Sequence, residues 1–268
     1  MKVELARSYN QYQLSKPQQL DLLDTDRSNL TTDQWTLLSN IHHIFNEDIT
    51  LHAIQSSLTQ GSSLPIKLRV KQSFALKCLH HCFSSMEVPF KKSPYFYSLP
   101  LDAQKYLVHH NIYATSSLKA LYLTRQADLW NNEDFQISYI ELYNESTLKR
   151  TAAMSQRLDP NGLYVKIMLY IIAFSSNYSI VNYNALENSS DSSNLKRLTS
   201  VQDICASLLW KYLTYQYSFQ ESVIRYSSLI KILLDILSIL EYKINIHEFN
   251  KMMNNIVEQT EQSFVLSK

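Results

Sequence analysis

Cys78-Leu79-His80-His81-Cys82 is the place in this chain where soft metal ligands crowd together: two thiols and two imidazoles within five residues are the donor types of zinc and haem sites. The spacing decides against such a site. On a helix, Cys78 and Cys82 share a face because they are four residues apart, whereas His80 and His81 point elsewhere, so one turn cannot aim four donors at one ion. Free cysteine is among the most buried side chains, and two core thiols on an apolar stripe is the reading that fits. The paired histidines His42-His43 and His109-His110 have no acid or thiol at ligand spacing. No Ser, Cys or Lys stands in a nucleophile motif, and Asp128, Glu133 and Asp134 read as a solvated loop. Catalysis and metal binding therefore find no support in the sequence.

Composition narrows the class further. With 268 residues, 45% of them hydrophobic, the chain can bury one large helical core. Two glycines, Gly61 and Gly162, argue against a turn-rich β architecture and against a phosphate-cradling loop. A formal charge of +1 gives no electrostatic reason to bind nucleic acid. Three cysteines are too few for a disulfide framework, the Met1 end shows no apolar run of signal-peptide type, and nowhere do about 18 apolar residues run unbroken. The expectation is a reducing intracellular compartment and no membrane partner. The Asn-x-Ser/Thr matches at Asn29, Asn144, Asn177 and Asn188 then read as accidents of composition.

The elements follow from periodicity. Residues 1–29 are polar and aperiodic, a linker or arm. Thr31 or Thr32 caps a helix carrying Trp35, Leu38, Ile41 and Phe45 on one face. Residues 46–63 suggest a variable loop with one helical turn. A helix over residues 64–92, near 40 Å at about 1.5 Å per residue, carries Ala75, Leu79, Cys82, Phe83 and Met86. It ends at Lys91-Lys92, where cations suit the negative pole of the dipole and Pro94 forces Ser93 out of the helical region. Pro100 then starts a second long helix, with Asp102 in its first turn, that runs to about Ala127. Phe135-Gln136-Ile137-Ser138-Tyr139-Ile140 alternates as a short strand does. A helix from Gly162 to Phe174 is apolar nearly all round and therefore interior. After a Ser/Asn-rich loop at 175–195 come an amphipathic helix from Val201 to about Tyr217 and a last long segment from Ser222 to about Val257.

The elbow between the two long helices resembles the helix 3 to helix 4 signature of nuclear receptor ligand-binding domains. Lys91, Phe96, Leu99, Gln104, Leu107 and Val108 fall on the family spacing without a gap, with Asp102 nearby. Pro89 and Phe90 stand where an aromatic and a small residue are usual, and Ala103 stands for the acid before Gln104. Leu30-Thr31-Thr32-Asp33 is similar to the start of the family's first helix. Leu169 to Phe174 is similar to its helix 7 or 8, and Arg225-Tyr226 with the apolar run to Ile239 is similar to its helix 10. The resemblance spans residues 30 to about 253.

What the resemblance implies is an all-α, three-layer antiparallel helical sandwich with one short β-turn, occupying residues 30–268. It implies a transcription regulator of nucleus and cytoplasm that binds a small lipophilic ligand, coactivator or corepressor helices, and a homo- or heterodimer partner. Direct nucleic-acid contact is not expected of this chain, because the paired Cys-x-x-Cys sites of the family's DNA-binding module are absent from it. By the same resemblance, a Leu-x-x-Leu-Leu helix docks in a groove of Lys91, Gln104, Leu107 and Val108, and Arg225, Leu229, Leu233 and Ile236 form the dimer face. Pocket candidates are Cys78, Cys82, Leu118, Arg125, Met168 and His247. A haem held by Cys78 and His247 is the disfavoured variant. Met252-Met253-Asn254-Asn255-Ile256-Val257 has the apolar pattern of the family's activation helix, but Asn255 replaces its Glu and the spacing from Arg225 places the segment in the preceding helix, so activation is degenerate or missing. The competing class is a helical protein-interaction scaffold with a filled interior; a cavity of several hundred Å³ separates the two.

Overall fold

The computed structural model describes residues 29–45, 48–62, 74–175 and 192–266, and every regular element among them is helical. Most of the polar arm, residues 63–73 and most of the Ser/Asn-rich loop lie outside the described residues. Helix α1 (Thr32–Ile44) opens on a capping box: the Thr31 hydroxyl accepts from the Gln34 N–H, and the Gln34 side chain accepts from the Thr31 N–H. Helix α2 (Asp48–Ser62) replaces the expected loop.

The expected helix over 64–92 is in fact broken. Helix α3 (Phe74–Ser84) stops, two residues turn, and α4 (Glu87–Lys92) restarts. Pro89 is the cause. It has no N–H to give the carbonyl of Ser85 four residues back, and its ring clashes there in a continuous helix. The freed Ser85 carbonyl instead accepts from Lys119 Nζ at 3.0 Å. Short α5 (Pro94–Tyr97) forms the elbow, with Ser93 capping the Phe96 N–H, and leads into α6 (Leu101–Gln126), which has Pro100 as its cap.

Helix α7 (Glu133–Leu142) lies where a strand and the family β-turn were expected. The Asn132 side chain accepts from the Phe135 N–H at 2.9 Å, Glu133 and Asp134 complement the dipole, and Phe135, Ser138 and Tyr139 bury one helical face. Helix α8 (Glu145–Arg157), capped by Asn144, has no counterpart among the expected elements. Then follow α9 (Gly162–Ala173), α10 (Ser192–Gln216), α11 (Phe219–Lys243) and α12 (His247–Leu266); the last two come from one expected segment, split at Ile244–Ile246.

Helix α6 sits in the middle, touching α3, α8, α9, α11 and α12. Beyond α9 lie α1 and α10, while α3 also meets α2 and α7. Fifteen of the residues of α6 are buried, six of them polar or charged: Gln104, Asn111, Thr115, Ser116, Lys119 and Thr124. Each has a partner, as buried polar groups require. Thr115 and Thr124 bond back to carbonyls of their own helix. The others fasten the ends of neighbouring elements. Gln104 Nε2 donates to the elbow carbonyls of Phe96 and Leu99, Asn111 Nδ2 to the Ala173 and Ser175 carbonyls at the end of α9, and Ser116 and Lys119 to the α3–α4 break.

Candidate functional site

The structure scatters the residues expected to line a pocket. Cys78, Cys82, Leu118 and Met168 are sealed in the core, Arg125 spends its guanidinium on the Leu158 carbonyl between α8 and α9, and His247 is exposed at the start of α12. None of the six lines the central cavity. A sealed Cys78 and an exposed His247 cannot ligate one iron. Burial pushes the Cys78 and Cys205 thiols up to about 12, and that of Cys82 higher, so all three are neutral at pH 7 and poor ligands. His80 is exposed, whereas His81 meets the Ser57 hydroxyl of α2 at 3.1 Å. Among the described residues no cluster of three metal-ligating side chains exists. We expect none of the three thiols to react with a disulfide reagent at pH 7.5 in the folded protein, and all three to react in denaturant; a fast-reacting native thiol contradicts this burial.

The expected groove fares differently from its elbow. Lys91 is half-exposed and paired with Glu87 at 2.6 Å across one helical turn. Leu107 and Val108 are fully buried and offer a peptide no surface, and Gln104 is turned inward on the elbow. Phe96 and Leu99 are buried in that elbow, Phe96 with its ring 5.2 Å from Phe264 near the end of α12, while Asp102 is exposed. Helix α12 carries Met252, Met253, Ile256 and Val257 on its buried face and continues to Leu266 as one element. No separate short helix follows it among the described residues.

The residues expected at a dimer face also point inward. Arg225, Leu229 and Ile236 are buried and Leu233 is half-buried, because this stripe of α11 covers α6 and α8. A second apolar stripe occupies the opposite side. There Phe219 is 71% and Leu234 62% exposed, with Val223 and Ile230 between them. At positions i, i+4, i+11 and i+15 they share one face of the helix.

The central cavity is small, about 30 Å³, and lies between α3, α6, α7, α8 and α11. Its apolar walls include Leu79, Phe83, Leu121, Met154, Ile236 and Leu240. One end is polar, where Lys243, Trp130 and Tyr139 reach it. Lys243, in the last turn of α11, is only 7% exposed, and its Nζ lies 4.7 Å from the ring centre of Tyr143 and 5.4 Å from that of Tyr139. The rings of Trp130, Tyr139 and Tyr143 stack edge and tilt within 6 Å of each other in sequence. Trp130 Nε1 and the Tyr143 hydroxyl are buried without a hydrogen-bond partner among the described residues. Burial, then Tyr139 and Tyr242, push the Tyr143 phenol well above its ordinary range, so it remains a protonated donor. The sequence carried a signal for this end: Ile236, Ile239, Leu240 and Lys243 continue one inward stripe, which puts a cation where an apolar residue is the rule.

Below α11 a charged cluster is fully paired. Arg225 forms an ion pair with buried Asp159, a second with Glu221 at 2.7 Å, and stacks 3.7 Å from the ring centre of Tyr217. Burial lowers the guanidinium pKa, but the bonds from Glu221 and Asp159 outweigh it and raise it. Asn161 alongside donates to the Tyr212 and Tyr217 hydroxyls. Comparison with models of known protein families, with curated proteins and with solved structures returns no match for this chain.

Proposed function

We propose that the chain is a regulatory module of the nuclear-receptor ligand-binding type, a three-layer helical sandwich that controls transcription through helix-to-helix contacts and dimerisation. The observation that carries the reading is the single long α6 in the midst of five helices, reached through an elbow that Gln104 clamps by two carbonyls, at the spacing that motivated the resemblance. The outer stripe of α11, Phe219, Val223, Ile230 and Leu234, is then the dimer surface, on the same element as expected but on its other side. An apolar stripe of this length left to solvent is the mark of an interaction site. Membrane attachment is not part of the reading, and among the described residues no helix is long and apolar enough to cross a bilayer.

The central cavity of about 30 Å³ favours a second reading, the protein-interaction scaffold with a filled interior. Both readings share the α11 surface and differ in the nuclear role. Fused to an unrelated DNA-binding module, the chain should change reporter transcription severalfold, and the doubly charged variant Val223→Lys with Leu234→Lys should reduce that effect and convert dimer to monomer in sedimentation equilibrium. A folded, well-expressed fusion with no effect on transcription removes the nuclear role and leaves the scaffold.

A further inference from the structure

We infer that Lys243, Trp130 and Tyr143 form the seat for the carboxylate of a lipophilic acid, whose tail enters the apolar space between α3, α6 and α8; the inference rests on the ligand-binding reading above. Lys243 is more than nine-tenths buried, yet it forms no ion pair and no side-chain hydrogen bond among the described residues, and its ammonium meets only the faces of two tyrosines. Aromatic faces offset part of the desolvation of a cation but do not replace a counterion. Buried side chains of this kind are normally paired, and here two more donors are left open as well: the N–H of Trp130, which lines the same cavity, and the hydroxyl of Tyr143, whose ring the Lys243 ammonium faces.

Three donors and no acceptor define the chemistry. A carboxylate has two oxygens and about four lone-pair sites, enough to accept from all three, whereas a neutral hydroxyl or a cation is poorly served by an ammonium. Beyond this end the lining is apolar apart from the hydroxyl residues Ser117, Thr124 and Thr151, with Leu79, Met154 and Ile236 along the wall, so the remainder of the ligand is largely hydrocarbon. The existing space of about 30 Å³ takes the head group alone. The tail therefore displaces side chains from the lining, and the unbranched, flexible Met154 is the first to move.

Decanoate and its uncharged partner decanol, titrated into the full chain below their aggregation limits, test the inference. Decanoate should bind about tenfold or more tightly than decanol, since a charge-assisted contact separates them. Lys243→Met should bring the ratio to near one, because the acid loses its counter-charge and the alcohol does not. It should also leave the melting temperature the same or higher, because it removes a buried charge without stranding a counterion. Tyr143→Phe, which keeps the ring, should weaken decanoate severalfold and so lower the acid-to-alcohol ratio, and stands in should the methionine variant not fold. Equal binding of acid and alcohol by the wild type, binding of neither, or a preference untouched by both variants overturns the inference. A chain that still regulates the reporter but shows no preference for the acid loses this inference alone.

Discussion

Arg225→Met should destabilise the folded chain by about 3–5 kcal/mol, the range for removing one member of a buried ion pair. The physical reason lies less in the lost attraction than in what stays behind: Asp159 is buried and its carboxylate faces Arg225, so the variant retains an uncompensated charge away from water. The guanidinium also ties Glu221 one turn away and covers the Tyr217 ring, while the Arg225 carbonyl accepts from the Tyr164 hydroxyl at 2.6 Å. Loss of the side chain thus loosens α11 from the α8–α9 connection, while the backbone bond to Tyr164 of α9 remains. Adding Asp159→Asn should recover a large part of the loss, and the coupling between the two sites should appear as a strongly non-additive double-mutant cycle. Arg225→Lys keeps the charge but not the planar fork, and should fall between. Denaturant titration reads these proteins together with Asp159→Asn alone, which completes the cycle; a loss below about 1 kcal/mol for Arg225→Met would show that the pair is solvated.

The second large effect is expected at the elbow. Gln104→Glu swaps an amide donor for an acceptor in a buried site where the carbonyls of Phe96 and Leu99 point at the side chain from 3.1 and 3.0 Å, and that of Tyr97 from 3.4 Å. Carbonyl dipoles oppose a carboxylate as strongly as they favour an N–H. The cost should exceed about 3 kcal/mol at pH 7, against about 1–3 kcal/mol for Gln104→Ala, which only strands the carbonyls. The sign with pH follows. The introduced carboxyl is raised above its unfolded value by this environment, so the folded state holds the extra proton and the deficit shrinks as pH is lowered toward the folded value. Melting curves of Gln104→Glu at pH 5 and pH 7 measure it; an equal deficit at both would mean that the side chain has swung out into water.

Much of the framework was legible because its signals are local. The capping box at Thr31 and Gln34, the apolar circumference of Leu163 to Phe174 and the stripe ending in Cys82-Phe83 each name an element from within it. The strand read over Phe135–Ile140 failed because Phe135, Ser138, Tyr139 and Leu142 satisfy a helical period as well, and the Asn132 cap decides between them. Pro89 marked the break between α3 and α4, a cue the helix read over 64–92 did not use, since its apolar stripe ends at Met86. The site was harder. Helix α11 carries two apolar stripes, and periodicity cannot tell which one faces the core, so Arg225, Leu229 and Ile236 were assigned to the dimer side while they cover α6 and α8. Trp130, Tyr143 and Lys243 come from three separate elements, and only folding brings them together.

The placement of α6 has a bearing on how the chain comes apart. Because five helices supply its covering and its own polar residues clasp the ends of two of them, α3 and α9, and the elbow, removing any one neighbour exposes apolar surface, and removing α3 or α9 strands hydrogen bonds as well. Amide protons from Leu107 to Leu123 should consequently exchange with deuterium only through global unfolding, as one cooperative block, while those of α2, which rests on α3, exchange through smaller openings.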